Sequence, residues 1–295
     1  MHVNFDIKVF RGLLQDLHIL TKSKRGLVGL SIIVFFVFMA VASYFVPSEL
    51  LRYDASRIWL PPSFEHPLGT DFAGRDIFAQ IVYGSRSILI SSFLAALFIV
   101  LLGIIIGILS GLRGGYIDAV LMFITDTLMT IPTYPLFVVI ASALKAQLDI
   151  FSISLIFALT SWAGLARAVR SQVMAIKNRE FVEASRVLGL GTLHLIFGEI
   201  LPMIRPYIAV SFIYSTLHAM NGFVGFFFLG LAPIEMSNWG VMLNLAVGRG
   251  VIMLAQSWAI MYLLAPVMAI LMLTMGMIFL SGGLEAVFNP RLREE

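Results

Sequence analysis

The stretch that decides the fold is RAVRSQVMAIKNREFVEASRVLGLGTLHLIFGEILPMIRP, residues 167–206. It is rich in charged and polar residues, and it lies between two apolar runs, residues 150–166 and 207–231. Two consecutive membrane helices need only a short turn between them. A polar segment of this length therefore predicts a structure of its own at the membrane surface.

Helix and turn signals divide this segment into pieces. A short helix is predicted over Glu180–Leu188, and Gly189 and Gly191 end it. The helix has an apolar face and a charged rim, formed by Phe181, Ala184 and Leu188 on the face and Glu180, Glu183 and Arg186 on the rim.

A second helix is predicted to begin at Thr192, whose side chain can cap it, and to end at Pro202. Pro206 then begins the next span. Residues 180–201 would form a small helical projection, the knob. Its apolar face suits docking into a groove on a soluble partner.

The composition of the whole chain agrees with a membrane protein. Of the 295 residues, 59% are hydrophobic and only 13% are charged, about half the charged share of a soluble domain. The net charge is +3, which in such a chain reflects Lys and Arg held at the cytoplasmic side rather than nucleic-acid binding. The chain contains no cysteine, which excludes disulfides and thiolate metal sites.

Six apolar segments are long enough to cross or nearly cross a bilayer. We predict an all-α membrane protein with six transmembrane helices, in residues 27–46, 87–112, 119–144, 150–166, 207–231 and 258–281. Residues 1–26 form an amphipathic interfacial segment, residues 47–86 an extracytoplasmic loop, residues 87–281 a five-helix core, and residues 282–295 a tail.

Charge then fixes the orientation. With the N-terminus inside, 14 of the 20 Lys and Arg residues fall on the cytoplasmic side. Both termini and the knob are therefore predicted to be cytoplasmic.

Small and polar residues within the spans mark helix contacts or a hydrated passage. Gly103, Gly107 and Gly111 are four residues apart, which favours close packing against another helix of the same fold. A polar stripe on the fifth span is either a passage wall or a tight helix contact; it comprises Ser211, Tyr214, Ser215, His218 and Asn221, with Gly222 and Gly225 beside them. His218 by itself is more typical of an interhelical hydrogen-bond partner.

Asp126 is the only acidic residue well inside a predicted span. A carboxylate there is expected to pair with an Arg or a backbone group, or to line the passage together with Thr130. Pro132 and Pro135 predict a kink in the same helix, with hydroxyl groups of Thr127 and Thr130 near the freed carbonyls.

The extracytoplasmic loop has charged residues with an expected structural role. Gly69-Thr70-Asp71 reads as a turn, and Asp71, Arg75 and Asp76 are predicted to form an ion-pair cluster. The loop as a whole, residues 47–86, is expected to contact a solute-binding protein, and a structural cap over the outer mouth of the passage is the alternative.

The knob resembles a known family. Glu183-Ala184-Ser185, followed by Gly189 and Ile200-Leu201-Pro202, is similar to the EAA loop of bacterial and archaeal ABC importer permeases. The resemblance implies the type I ABC importer permease fold. It also implies a coupling helix that docks on the ATPase through Glu180, Phe181, Glu183, Ala184, Ser185, Arg186, Leu188 and Gly189.

Further motifs resemble the C-type permease of dipeptide and oligopeptide importers. His66-Pro67-Leu68-Gly69-Thr70-Asp71 and Gly74-Arg75-Asp76 are similar to its signature, as are Asp126 with Pro132 and the segment Phe228–Leu231 with Trp239-Gly240. The chain departs from this family where an acidic residue before Phe228 is missing and where the C-terminal tail lacks aspartates. That family also includes importers of oligosaccharides and nickel, so peptide and oligosaccharide both stay open as substrates.

The resemblance implies a membrane-embedded, binding-protein-dependent importer permease that works by alternating access. Its partners would be a second homologous permease in a heterodimer, two ATP-binding subunits, and an extracytoplasmic solute-binding protein. The chain itself is expected to hold no cofactor, because it has no GxxxxGK[ST] phosphate loop; ATP and Mg²⁺ would be bound by the partners. A self-contained channel or secondary transporter is the rival, and the knob and the few intramembrane charges argue against it.

Overall fold

The computed structural model describes residue 20 and residues 23–144, 149–231, 237–254 and 256–288. Within these ranges the regular structure is helical, with one isolated β-bridge between Thr70 and Asp76. Most of the predicted amphipathic segment, residues 1–19 and 21–22, lies outside the described residues. So does the tail beyond residue 288.

Eleven α-helices occur among the described residues, and we number them in chain order. They are α1 Lys24–Ala42, α2 Ile77–Arg113, α3 Gly115–Thr130, α4 Thr133–Ala143, α5 Ile150–Ser161, α6 Ala163–Ile176, α7 Glu180–Val187, α8 Thr192–His194, α9 Leu201–Phe228, α10 Trp239–Gly248 and α11 Met261–Phe288. Short 3₁₀ helices flank them at Ser43–Phe45, Ser48–Leu51, Ala55–Arg57, Val251–Met253 and Ser257–Ile260.

Four helical stretches of the described chain are long and apolar enough to cross a membrane. They are Lys24–Phe45, Ile77–Arg113, Thr192–Phe228 and Ser257–Val287. Two further candidates are bent helix pairs, α3 with α4 at 88° and α5 with α6 at 54°. The described helices therefore provide four spans, or up to six if each bent pair crosses as one.

The third predicted span is broken more sharply than the expected kink. α3 ends at Thr130, Ile131 is extended, and Pro132 lies immediately before α4. Proline has no N–H to continue the helix, and its ring forces the preceding residue out of the helical region. The hydroxyls of Thr127 and Thr130 donate to the carbonyl oxygens of Phe123 and Thr127, respectively, within α3.

The predicted helix end at Pro202 is wrong. Helical structure runs from Thr192 to Phe228, with a π-helical turn at Leu195–Ile200 between α8 and α9. Pro202 follows the π-helical turn and lies in the first turn of α9, so the helix continues through it. Pro206, which was predicted to begin the next span, lies inside α9. Gly191, not Thr192, occupies the capping position before α8, and no side-chain hydrogen bond caps that helix.

The chain divides into two compact units. The first comprises residues 1–86 and 245–295, of which the described part holds α1, the loop of residues 47–76 and α11. α1 and α11 pack closely through glycines, because a Cβ atom on Gly276 would lie 2.5 Å from Cγ2 of Ile32 and one on Gly29 would overlap Leu280. Trp59, Phe72 and Tyr262 form an aromatic cluster, with centroids 5.8 to 6.5 Å apart.

The second unit comprises residues 87–244. Its glycines confirm the predicted close contact: Cβ atoms on Gly103, Gly107 and Gly111 would lie 2.6 to 2.8 Å from atoms of α6. Elsewhere in the unit, the side chains of Phe137, Phe157, Phe223 and Phe226 are fully buried, with ring centroids of contacting pairs 5.0 to 6.0 Å apart. This apolar core holds α4, α5 and α9 together.

Candidate functional site

The knob begins with α7, whose end has a specific backbone geometry. Gly189 has φ +73°, in the left-handed region. The N–H of Gly189 donates to the carbonyl of Arg186 at 2.9 Å, and that of Leu190 donates to Ser185 at 3.1 Å. This pair of hydrogen bonds is the Schellman motif, which satisfies the last carbonyls of a helix. The predicted stop at Gly189 is thus confirmed.

One side of α7 packs against other helices of the second unit. Val182 is fully buried in a cluster with Val173, Ile176, Leu195 and Ile200. Ser185 also points inward, and its hydroxyl donates to Glu199 Oε1 at 3.1 Å. The N–H of Arg179 donates to the carbonyl of Ile176 at 2.9 Å across the turn from α6. α7 is therefore fixed to α6 and to the π-helical turn.

The opposite side of α7 is exposed and mixed in character. Leu188 is 75% exposed and Val187 is 86% exposed, which is unusual for large apolar side chains. The structure places seven of the eight predicted docking residues on this outer surface: Glu180, Phe181, Glu183, Ala184, Arg186, Leu188 and Gly189. The eighth, Ser185, belongs to the anchored side.

The polar stripe of α9 lies away from the core of the second unit. Tyr214, His218 and Asn221 are exposed, and Ser211 and Ser215 are half-buried. The other side of α9 carries the buried residues Ile213, Thr216, Ala219, Met220, Phe223 and Phe226. In an apolar membrane helix, an exposed polar face needs water or another protein surface beside it.

A pocket of about 370 Å³ lies beside the part of this stripe that contains His218 and Asn221. It is lined by Thr133, Tyr134, Phe157, His218, Asn221, Gly222 and Gly225. The His218 ring lies 5.3 Å from that of Phe157, and a Cβ atom on Gly225 would lie 2.6 Å from the Tyr134 hydroxyl. The glycines thus leave room for the aromatic lining, and the lining residues include hydroxyl, imidazole and amide side chains.

The family is decided by comparison with known proteins. The profile of the family described as "Binding-protein-dependent transport system inner membrane component" matches residues 103–294, well over half of the chain. The chain belongs to this family. It is therefore a multi-pass membrane permease, and the transport role predicted from the knob is confirmed.

Relatives cover nearly the whole permease. The dipeptide transport system permease protein DppC of Bacillus subtilis is 34% identical over 278 residues, 93% of this chain and 84% of the relative. The oligopeptide transport system permease protein OppC of Bacillus subtilis is 33% identical over 279 residues, 92% and 87% of the two chains. The nickel transport system permease protein NikC of Escherichia coli is 33% identical over 226 residues, 75% and 81% of the two chains.

Asp126 of the permease forms an ion pair with Arg167 of α6. Both side chains are about half exposed, so this pair lies at the edge of the second unit rather than in its core. Thr130 is exposed on the last turn of α3. The expected pairing of Asp126 with an Arg is thus present, and the polar stripe of α9 is a separate feature.

A second ion pair in the permease was missed by the sequence reading. Arg170 Nε and Nη2 each lie 2.6 Å from an oxygen of Asp118, a bidentate arrangement. The Ser110 hydroxyl also donates to Asp118, and Lys177 Nζ donates to the carbonyl of Gly111 at 2.8 Å. The available signal was the spacing of Arg167, Arg170 and Lys177, which places three cations along one side of α6.

In the first unit, the segment from His66 to Gln80 of the permease has a buried polar network. Asp71 is fully buried and accepts hydrogen bonds from Arg75 Nε at 2.8 Å and Gln80 Nε2 at 3.1 Å. Asp76 pairs instead with His66, whose Nδ1 lies 2.8 Å from Oδ2. The predicted ion-pair cluster therefore forms as two separate pairs, Asp71 with Arg75 and Asp76 with His66, and both are structural in character.

Replacing Asp71 with alanine is expected to destabilise the loop of residues 47–76 by about 3–5 kcal/mol, because Arg75 would keep its buried charge without a counter-ion. Thermal unfolding of the purified permease measures the effect. Glu65→Ala is the control, since Glu65 is exposed in the same loop. Equal melting temperatures for the two variants would contradict the structural role of Asp71.

Proposed function

We propose that this permease forms half of the solute passage of an ATP-driven peptide importer. The observation that carries the proposal is the knob, which is anchored on one side by Val182 and presents an exposed apolar and charged face on the other. Such a face suits a groove on a soluble subunit. Two ATP-binding subunits, a second homologous permease and an extracytoplasmic solute-binding protein would complete the complex.

The proposed arrangement has six spans, with each bent helix pair crossing the membrane as one and with both termini in the cytoplasm. Residues 1–26 would lie at the cytoplasmic surface, residues 47–86 would face the solute-binding protein, and residues 282–295 would form a cytoplasmic tail. The charge asymmetry supports this orientation.

The passage would run along the α9 stripe, with Ser211, Tyr214, Ser215, His218 and Asn221 as its wall. Asp126 and Thr130 would lie at its cytoplasmic side. Exposure of Tyr214, His218 and Asn221 on an apolar helix supports that placement, because lipid is a poor neighbour for polar side chains. Two relatives named for dipeptide and oligopeptide transport support peptide as the solute.

Cross-linking tests the docking of the knob. Because the chain has no cysteine, Leu188→Cys provides a single reactive site on the exposed face. In membranes containing the whole complex, it should cross-link to an ATP-binding subunit, whereas Phe64→Cys, fully exposed in the extracytoplasmic loop, should not. Labelling of Leu188→Cys by an impermeant reagent from outside the cell would overturn the proposal.

The solute is tested on the partner solute-binding protein. Calorimetric titration with a dipeptide, a longer peptide, an oligosaccharide and Ni²⁺ is expected to give binding only for a peptide. Tight binding of the oligosaccharide or of Ni²⁺ alone would replace peptide with that solute.

A further inference from the structure

Two ion pairs join α3 to α6 inside the second unit. Arg170 binds Asp118 in the bidentate arrangement described above, and Arg167 binds Asp126 farther along α3. Eight residues separate the two aspartates, so the links are about 12 Å apart along the helix axis. Two links at this distance restrain the direction of α3 relative to α6, whereas a single link would leave a pivot.

The Asp118 end is held from a third side. The Ser110 hydroxyl of α2 donates to Asp118, and Lys177 reaches from beyond α6 to the carbonyl of Gly111. The chain passes from α2 to α3 through Gly114 and Gly115, whose φ angles of +64° and +55° are ones that other residues rarely adopt. The first turn of α3 is thus fixed against both α2 and α6.

α6 is in turn attached to the knob. Val169, Val173 and Ile176 of α6 share one buried cluster with Val182 of α7. Only Lys177, Asn178 and Arg179 separate the two helices. A force on α7 is therefore passed to α6 through tightly packed side chains, which resist compression.

The far end of α3 leads to the pocket. The chain breaks at Ile131 and Pro132, and the next residues, Thr133 and Tyr134, are pocket lining. A change in the direction of α3 would alter the angle at this break and move Tyr134 relative to Gly225 and His218 of α9.

We propose that Asp118 and Arg170 are positioning residues for transport, which carry movement of the knob from α6 to α3 and so to the break at Pro132. The proposal rests on docking of the knob to an ATP-binding subunit. A bidentate Arg–carboxylate pair suits this role because its geometry is directional, and the pair can pull as well as push.

The test uses the whole transporter complex in liposomes. Asp118→Asn removes the charge and retains a hydrogen-bond acceptor, and Arg170→Lys retains the charge and loses the bidentate contact. Solute uptake is expected to fall about tenfold in Asp118→Asn and several-fold in Arg170→Lys, while subunit assembly and basal ATP turnover stay within about twofold. Asp149→Asn is the matched control, since Asp149 caps α5 and asparagine caps equally well.

A distance measurement separates coupling from a merely structural role. Phe123 of α3 and Val139 of α4 are exposed, so spin labels on Phe123→Cys and Val139→Cys report the angle at the break in a chain with no other cysteine. Addition of ATP should change the distance between the labels in the parent and in Asp149→Asn. It should leave that distance unchanged in Asp118→Asn.

Three results would overturn the proposal: normal uptake in Asp118→Asn, an ATP-dependent distance change that persists in that variant, or a joint loss of assembly, ATP turnover and uptake in both variants. If the knob does not dock on an ATP-binding subunit, the result is different: the parent complex would fail to retain its ATP-binding subunits before any substitution is made.

Discussion

Replacing Gly189 with valine is expected to lower ATP-driven solute uptake by about tenfold or more. Gly189 adopts φ +73° shortly after α7. For an L-residue this backbone conformation is less stable by about 1–2 kcal/mol, and for a β-branched residue the difference is larger. The strain would be relieved by opening the Schellman turn, which would displace Leu188 and the exposed end of α7. Uptake into liposomes and ATP turnover of the reconstituted complex measure the effect.

Gly191→Val provides the matched control in the same segment. Apart from the adjacent residues, no heavy atom lies within 4 Å of a Cβ built at either glycine, so both positions have open space for a side chain. Gly191, however, has φ −68°, a conformation open to any residue. Of the two variants, only Gly189→Val therefore places an L-residue in the left-handed region. Equal uptake by the two would mean that the end of α7 is not part of the docking surface.

The parts of the fold that follow from local rules could be predicted from the sequence. Gly103, Gly107 and Gly111 repeat every four residues, and they do form the close contact with α6. Gly189 does end α7, because glycine is the residue that most readily supplies a left-handed turn. In both cases the decisive residues lie close together in sequence, so a local pattern was enough to indicate the geometry.

The bent spans were harder, because the amount of bending depends on packing. Pro132 and Pro135 indicate that the helix is interrupted. The angle of 88° between α3 and α4 depends on which helices each of them packs against. The bend of 54° at Trp162 has no proline, and residue 162 keeps helical angles. Pro202 shows the opposite case, since a proline in the first turn of a helix need not end anything.

In the candidate site, too, features set by local sequence pattern could be predicted, whereas features set by tertiary packing could not. The exposed face of α7 and the stripe of α9 follow from helical periodicity and were predicted. The ion pairs join Asp118 to Arg170 across 52 residues and Asp126 to Arg167 across 41 residues. Spacing on one helix indicates that Arg167 and Arg170 share a side, but the partner on another helix is chosen by tertiary packing.

The second large effect is expected for Ser215→Trp, which should lower solute uptake at least about tenfold while leaving ATP turnover and subunit assembly near the parent values. Ser215 is half-buried on the polar side of α9, next to His218 and one turn from Ser211. An indole at this position would fill space beside the stripe without touching the buried side of α9, where Thr216 and Ala219 pack. Transport would then be blocked in a complex that still folds and hydrolyses ATP.

Two further variants decide what such a loss means. Ser215→Ala removes the hydroxyl and adds no volume, so normal uptake in that variant would identify bulk as the cause. Met268→Trp places the same side chain on α11 at a position that is 61% exposed, and it should transport normally because lipid can accommodate an indole there. If Ser215→Trp transports as well as Met268→Trp, solute does not pass this side of α9, and the stripe must be a contact surface for another helix. If Ser215→Trp, Ser215→Ala and Met268→Trp all lose both uptake and assembly, the loss reflects misfolding, and the proposed passage along the stripe gains no support. The proposed passage requires that only the large side chain on the polar face stops transport, because water and solute need that face open while lipid does not.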